Sequence, residues 1–273
     1  MTDGSNLLSV EGLTLQFGGI KPLDDVSFAI RPGELTAVIG PNGAGKTSLF
    51  NCLSGVYHPA RGEIRLDGTT YRRLAPHKAA RMGVARTFQT PALFAGLSVL
   101  ENLMAARYQY GRSSILSSVF NLPHVIREEA KQRERAEEVI DLLSLSSLRH
   151  EDVGSLAYGV RKRVELARAI CQDPKLLLLD EPMAGMTLEE KDEMSDCILD
   201  VQENTAATIL LIEHDMGVVM RLAEHIVVLD FGRKIADGTP EEVRSDSAVI
   251  AAYLGEEPDQ AIIEDLEAVA PRD

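Results

Sequence analysis

Apolar and polar residues alternate from Leu7 to Phe17, with Leu8, Val10, Leu13, Leu15 and Phe17 on the apolar beat. A period of two predicts a strand, broken at Gly12. Val26 to Ile30 repeats the pattern. Arg31-Pro32-Gly33-Glu34 is a turn. It feeds Leu35-Thr36-Ala37-Val38-Ile39, a short β-branched apolar run of the kind that forms a buried strand. Thr47 to Leu53 lacks Gly and Pro and starts a helix. Gly62 to Leu66 predicts a further strand, closed by Asp67-Gly68. Pro76 to Met82 predicts a short helix, and Gly83 to Gln89 a strand running into a loop.

The pattern changes after Gln89. Leu97 to Arg107 and Pro123 to Leu143 carry helix formers with apolar residues at helical spacing. In the second, Ala136, Val139, Ile140 and Leu143 make a stripe opposite a charged face. Ser113 to Leu122 is ambiguous. Residues 93–155 therefore read as a helical insertion, with Val160 to Ile170 as a helix beyond it. Strand–helix alternation then resumes. Leu176 to Leu179 and Thr208 to Ile212 predict strands, and Glu189 to Val201 and Met216 to Ala223 helices. Ile226 to Leu229 and Arg233 to Ala236 predict a hairpin across Phe231-Gly232. Near-continuous apolar strands alternating with helices imply a parallel sheet covered on both faces.

Composition adds limits. The 273 residues suffice for one large domain or two small ones. A net charge of −14 argues against nucleic acid as a partner. Cys52, Cys171 and Cys197 are scattered, as expected of free thiols in a reducing compartment. No stretch reads as a signal peptide, and no run approaches the ~20 apolar residues of a spanning helix. A membrane role would thus come through a partner. Residues 256–273 form an acidic tail in which fixed structure is not expected.

Chemistry enters at Gly40-Pro41-Asn42-Gly43-Ala44-Gly45-Lys46-Thr47, with Ser48 behind it. The spacing G-x-x-x-x-G-K-[ST] between strand and helix is a phosphate-binding loop. Backbone N–H groups and the helix terminus would cradle an anion. Lys46 would reach the β- and γ-phosphates, and the Thr47 hydroxyl would ligate Mg²⁺. Asp180 follows the four leucines at a carboxyl strand end, placed to hold Mg²⁺ through water. Glu181 points the other way, where it would orient or deprotonate a water. His214 ends the next strand, within reach of a γ-phosphate. Gln89, at its own strand end, would touch Mg²⁺ or the water.

In this order the motifs resemble the ATPase subunit of ABC transporters, over residues 7 to about 255. They are closest to those of branched-chain amino acid importers. The markers are Ala85-Arg86-Thr87-Phe88-Gln89, Leu100-Glu101-Asn102-Leu103, Leu156-Ala157-Tyr158-Gly159 and Ala252-Tyr253-Leu254-Gly255. The resemblance implies an α/β P-loop NTPase (RecA-like) core of mostly parallel sheet. To it are joined an antiparallel β subdomain and a helical subdomain. The ATPase domain would span 1–255. ATP and Mg²⁺ would be the cofactors. Phe17 would stack on adenine, Gln89 would join the two lobes, Glu181 would be the catalytic base and His214 the switch histidine. Leu156, Ala157, Tyr158 and Gly159 would clamp ATP held by the other subunit of a head-to-tail dimer, a homodimer or a pair of related subunits.

The same resemblance implies an integral membrane permease, a solute-binding protein met indirectly, and a peripheral place on the cytoplasmic face of the plasma membrane. The loop after Gln89, with Leu93 and Phe94, would face the permease. Ala157, Tyr158 and Val160 depart from the general pattern L-S-G-G-Q, and Thr187, in the loop after Glu181-Pro182, stands where the general family has aspartate; these changes would weaken the clamp. An exporter motor shares these motifs. A soluble ABC ATPase usually carries two cassettes or a long coiled coil, neither present here. No N-K-x-D guanine motif supports a GTPase.

Overall fold

The computed structural model describes residues 6–87, 92–107 and 123–254. Gln89 and its neighbours 88–91, the ambiguous stretch 113–122 and the tail 256–273 lie outside the described residues.

Two sheets organise the fold. The first is built from β1 (Leu8–Phe17), β2 (Ile20–Ile30), β4 (Arg61–Leu66) and β5 (Thr69–Tyr71), antiparallel in the order β2-β1-β4-β5. The second holds β3 (Leu35–Ile39), β6 (Val84–Arg86), β7 (Leu176–Asp180), β8 (Thr208–Ile212), β9 (His225–Asp230) and β10 (Arg233–Gly238). Its order is β10-β9-β3-β8-β7-β6, and all of its pairings are parallel except the β9–β10 hairpin.

Every residue of β3, β7 and β8 is buried. Their side chains divide between two cores. Leu35, Ala37, Ile39, Leu177, Leu179, Ile209 and Leu211 face one; Val38, Leu176, Leu178, Leu210 and Ile212 face the other. The unbroken apolar runs are thus explained by a sheet with no wet face. The second core also takes Leu49, Phe50 and Leu53 of α1 (Lys46–Leu53), together with the inner face of the antiparallel sheet. Helix α1 therefore lies between the two sheets.

The first core extends into the helical region. There α3 (Val99–Arg107) and α4 (Pro123–Leu142) bury Val99, Leu100, Leu103, Ala136, Val139 and Ile140. A Ser98–Asp152 bridge closes the insertion on itself. α2 (Pro76–Arg81), α5 (Tyr158–Ile170), α6 (Leu188–Asn204) and α7 (Met216–Leu222) complete the layers. Beyond the hairpin, α8 (Pro240–Ser245) packs on β9 and β10, and α9 (Ser247–Leu254) on α8 and β10. Cys52, Cys171 and Cys197 are free and buried, and burial pushes the first thiol up to about 12. No helix among the described residues is long and apolar enough to cross a membrane.

The structure corrects four expectations. β1 is continuous through Gly12. The residue sits at positive φ where the pairing register shifts, so it makes a bulge rather than a break. β2 starts at Ile20, not Val26, because the turn between Phe17 and Ile20 pairs its polar first half with β1. α5 starts two residues early, at Tyr158, whose hydroxyl donates to the Ala184 carbonyl at 3.2 Å. β5, α8 and α9 are additions to the elements expected from the apolar pattern; α8 opens on a capping box of Thr239 and Glu242.

Leu211 sits near the middle of β8 with no exposure. Leu211→Ala is expected to lower unfolding free energy by about 2–5 kcal/mol, read from urea denaturation.

Candidate functional site

In register, Val38 of β3 lies beside Ile212 of β8, and Ile212 beside Asp180 of β7. The carboxyl ends of three adjacent parallel strands are therefore level. The phosphate loop, Asp180-Glu181 and Glu213-His214 all leave the sheet there, where open α/β sheets bind ligands.

The loop is held from behind. Gly40, Gly43 and Gly45 have positive φ. A Cβ on Gly45 would come within 2.3 Å of the Pro22 carbonyl, so the loop sits against the start of β2 with no room for a side chain. Gly232 of the β9–β10 turn donates to the Ala44 carbonyl at 3.0 Å and accepts from Asp24 N–H at 2.8 Å. Asn42, Gly43 and Thr47 face solvent. Ser48 is half-buried, and Pro41 and Ala44 are buried. The buried Lys46 ammonium donates to the Gly40 and Pro41 carbonyls, the latter at 3.0 Å. No side chain caps α1. Its first N–H groups are left for an anion.

Asp180 is 6% exposed. Its carboxylate meets Arg86 at 2.6 Å, and its N–H donates to the Thr87 hydroxyl at 3.3 Å. Glu181 has φ 49°, a left-handed backbone that costs an ordinary residue about 1–3 kcal/mol. Its N–H donates to the Ile212 carbonyl at 2.9 Å, which fixes the turn. The Glu181 carboxylate lies 2.6 Å from His214, Oε1 to Nε2. An ionised carboxylate only accepts, so the imidazole presents Nε2–H to it. Two side chains named from separate strand ends thus touch.

The other candidates divide. Phe17 is half exposed and meets Tyr57 edge-on at 5.2 Å between ring centres, which leaves it open for stacking. Leu156, Ala157, Tyr158 and Gly159 form the N-terminus of α5, with Ala157 exposed at the cap and offering no side-chain bond. Gly159 is buried, and a Cβ there would come within 2.6 Å of Glu190. Thr187 and Glu190 close a capping box on α6, so the threonine has a structural task where the general family carries aspartate. Val160 packs partly into the first core. Phe94 is half exposed, with Arg168 over its ring at 5.0 Å, and Leu93 packs on the core. Gln89, expected both at the metal and at the water, lies outside the described residues.

The arrangement suits a nucleotide with a divalent cation. Among the described residues no three His, Cys, Asp or Glu converge as a metal cage. A Mg²⁺ held by one carboxylate, a hydroxyl and the phosphates themselves needs none. Asp180 and Thr47 are the groups that would hold it.

Three neighbours carry no local signal of the contacts they make. Arg86 is an arginine ending an apolar strand. Lys162 of α5 is 3% exposed; burial lowers its pKa, opposed by Glu165, Glu213, Glu181 and Asp180. Glu213 is 4% exposed and accepts from Met183 N–H at 2.9 Å and His214 N–H at 3.2 Å. It ties the segment after Glu181 to the histidine. Burial raises its pKa above 4.5, against those two N–H donors.

Glu213→Gln would set an amide N–H₂ against one of these donors. It is expected to cost about 1–3 kcal/mol. The raised carboxyl pKa means that the folded state holds that proton more tightly than the unfolded chain. Its contribution is full below pH 4.5 and is lost as pH rises through the raised value. The stability advantage of wild type over Glu213→Gln should therefore be largest below pH 4.5 and narrow as pH rises through the raised value, as measured by urea midpoints across pH.

Comparison with known proteins gives relatives along most of the chain. Residues 23–184 match the family model described as ABC transporter, and residues 233–259 match that of the branched-chain amino acid ATP-binding cassette transporter. The chain is 42% identical over 250 residues to the high-affinity branched-chain amino acid transport ATP-binding protein BraF of Pseudomonas aeruginosa. That match covers 92% of this chain and 98% of BraF. It is 40% identical to LivG of Escherichia coli over the same shares. A crystal structure of an ATP-binding cassette of an ABC transporter in its ADP conformation superposes with a TM-score of 0.80 at 32% identity, covering 92% of this chain and 99% of that one. A nucleotide-free cassette gives 0.79 at 31% identity, covering 92% and 100%. The chain belongs to the ABC transporter family, as one of its ATP-hydrolysing, nucleotide-binding subunits.

Proposed function

We propose that this subunit drives a separate membrane permease that imports branched-chain amino acids or related small polar solutes. The observation that carries the catalytic part is the 2.6 Å contact between Glu181 and His214 beside the phosphate loop. The importer assignment is supported by the names of the relatives and by the match at residues 233–259.

In this reading ATP lies with its base on Phe17 and its phosphates over residues 40–48. Lys46 leaves its loop carbonyls for the β- and γ-phosphates. Mg²⁺, once bound, supplies charge neutralisation on the transferring phosphoryl group. Glu181 accepts the proton of the attacking water, and His214 holds Glu181 in place while its ring faces the γ-phosphate. Gln89 contributes at the same water. The segment 156–159, exposed at Ala157, closes on ATP carried by a second ATPase subunit. Closure lasts while the γ-phosphate is present, so hydrolysis reopens the pair. The segment bearing Leu93 and Phe94 faces the permease, which holds the subunit on the inner face of the membrane.

Glu181→Gln keeps the shape but removes the base. It is expected to bind ATP, hydrolyse it about a hundred- to ten-thousandfold more slowly and accumulate as dimers in size-exclusion chromatography with Mg-ATP. Wild-type turnover in that variant would refute the role of Glu181. Affinity purification from native membranes is expected to bring down a permease; recovery of the chain with an export permease would overturn the importer reading.

A further inference from the structure

Arg86 ends β6, and its side chain is 9% exposed. It donates to Asp180 Oδ2 at 2.6 Å, to Asn51 Oδ1 at 2.7 Å and to Ser54 Oγ at 3.2 Å. It also lies 5.7 Å from the centre of the Phe50 ring. One side chain thus joins the strand that leads toward Gln89, the helix that follows the phosphate loop and the carboxylate at the end of β7. The guanidinium fork cannot lose its charge, and three acceptors fix its plane.

We propose that Arg86 is a positioning residue for the divalent cation of the nucleotide: it fixes the Asp180 carboxylate through Oδ2 and places a permanent positive charge beside it. The inference rests on the reading of Asp180 as the carboxylate that holds the cation. A buried carboxylate alone would attract a divalent ion whether or not a nucleotide were bound. With Arg86 at 2.6 Å, that attraction is largely spent. The triphosphate must then bring the missing negative charge, and cation binding becomes conditional on the nucleotide. The same positive charge helps hold a triphosphate that arrives without its metal. Asn51 and Ser54 keep the guanidinium aimed while the phosphate loop adjusts.

The test uses the whole protein and a fluorescent ATP analogue, titrated with Mg²⁺ and separately bound in EDTA. Arg86→Gln keeps a hydrogen-bond donor and loses the charge. The Mg²⁺ midpoint is expected to fall by about tenfold and the affinity in EDTA to weaken by about tenfold, the scale of one charge at short range. Arg86→Lys restores the charge and should return both values toward wild type. A purely structural brace would leave the Mg²⁺ midpoint of folded Arg86→Gln unchanged. That result overturns the proposal, as does Arg86→Lys behaving like Arg86→Gln.

Asp180→Asn separates the two readings. If its Mg²⁺ midpoint matches wild type, the assignment of Asp180 fails; if it rises while Arg86→Gln does nothing, only the role of Arg86 fails. Circular dichroism checks that the variants fold. Should Arg86→Gln not fold, titration of nucleotide-free wild type with Mg²⁺ decides: no binding at concentrations that saturate the ATP complex supports the proposal, and binding there overturns it.

Discussion

The site depends on one alignment, that of β3, β8 and β7 side by side, parallel and level at their carboxyl ends. None of these strands has a solvated face, and each sends alternate residues into a different core. A slip of one residue would exchange the two sets, so packing on both sides fixes the register. Chemistry is then placed by continuation. The residues next in the chain after Ile39, Leu179 and Ile212 emerge at the same edge, and they are the glycine loop, a carboxylate pair and a Glu-His pair.

Around that edge the polar groups hold one another. Glu181 is held by its backbone to Ile212 and by its side chain to His214, while Glu213 binds the N–H of Met183 behind it. Asp215 then caps α7 and takes Lys191 of α6. These contacts run between the segments after β7 and after β8, so the two cannot shift independently. The left-handed backbone at Glu181 is a local cost that this surrounding mesh sustains. Such rigidity suits the role proposed for Glu181, since a group that acts on a positioned water must be held in place.

Much of this is legible in the sequence, for identifiable reasons. β3 and β8 have the bounds of their apolar runs. A buried strand between polar turns is the least ambiguous local pattern, and the phosphate loop needs both of its flanks. The pairing of Glu181 with His214 is foreshadowed by their places at two strand ends. The partners of Asp180 are not, since Arg86 lies 94 residues away and nothing local to either residue names the other. Lys162 and Glu213 look like ordinary helix and strand-end charges; only the fold shows that they are buried. Thr239-Pro240-Glu241-Glu242 does carry the signature of a helix start, although six residues are too few for a periodic apolar stripe to draw the eye to α8. Gly12 misleads because a bulge and a break share the same glycine.

Glu190 belongs to two motifs at once. It closes the box with Thr187 at the head of α6, and its side chain fills the space where any Cβ on Gly159 would lie. The carboxylate is therefore a wedge between the segment after Glu181 and the head of α5. A tilt of one therefore presses on the other, so the turn after β7 has a short mechanical route to the exposed head of α5.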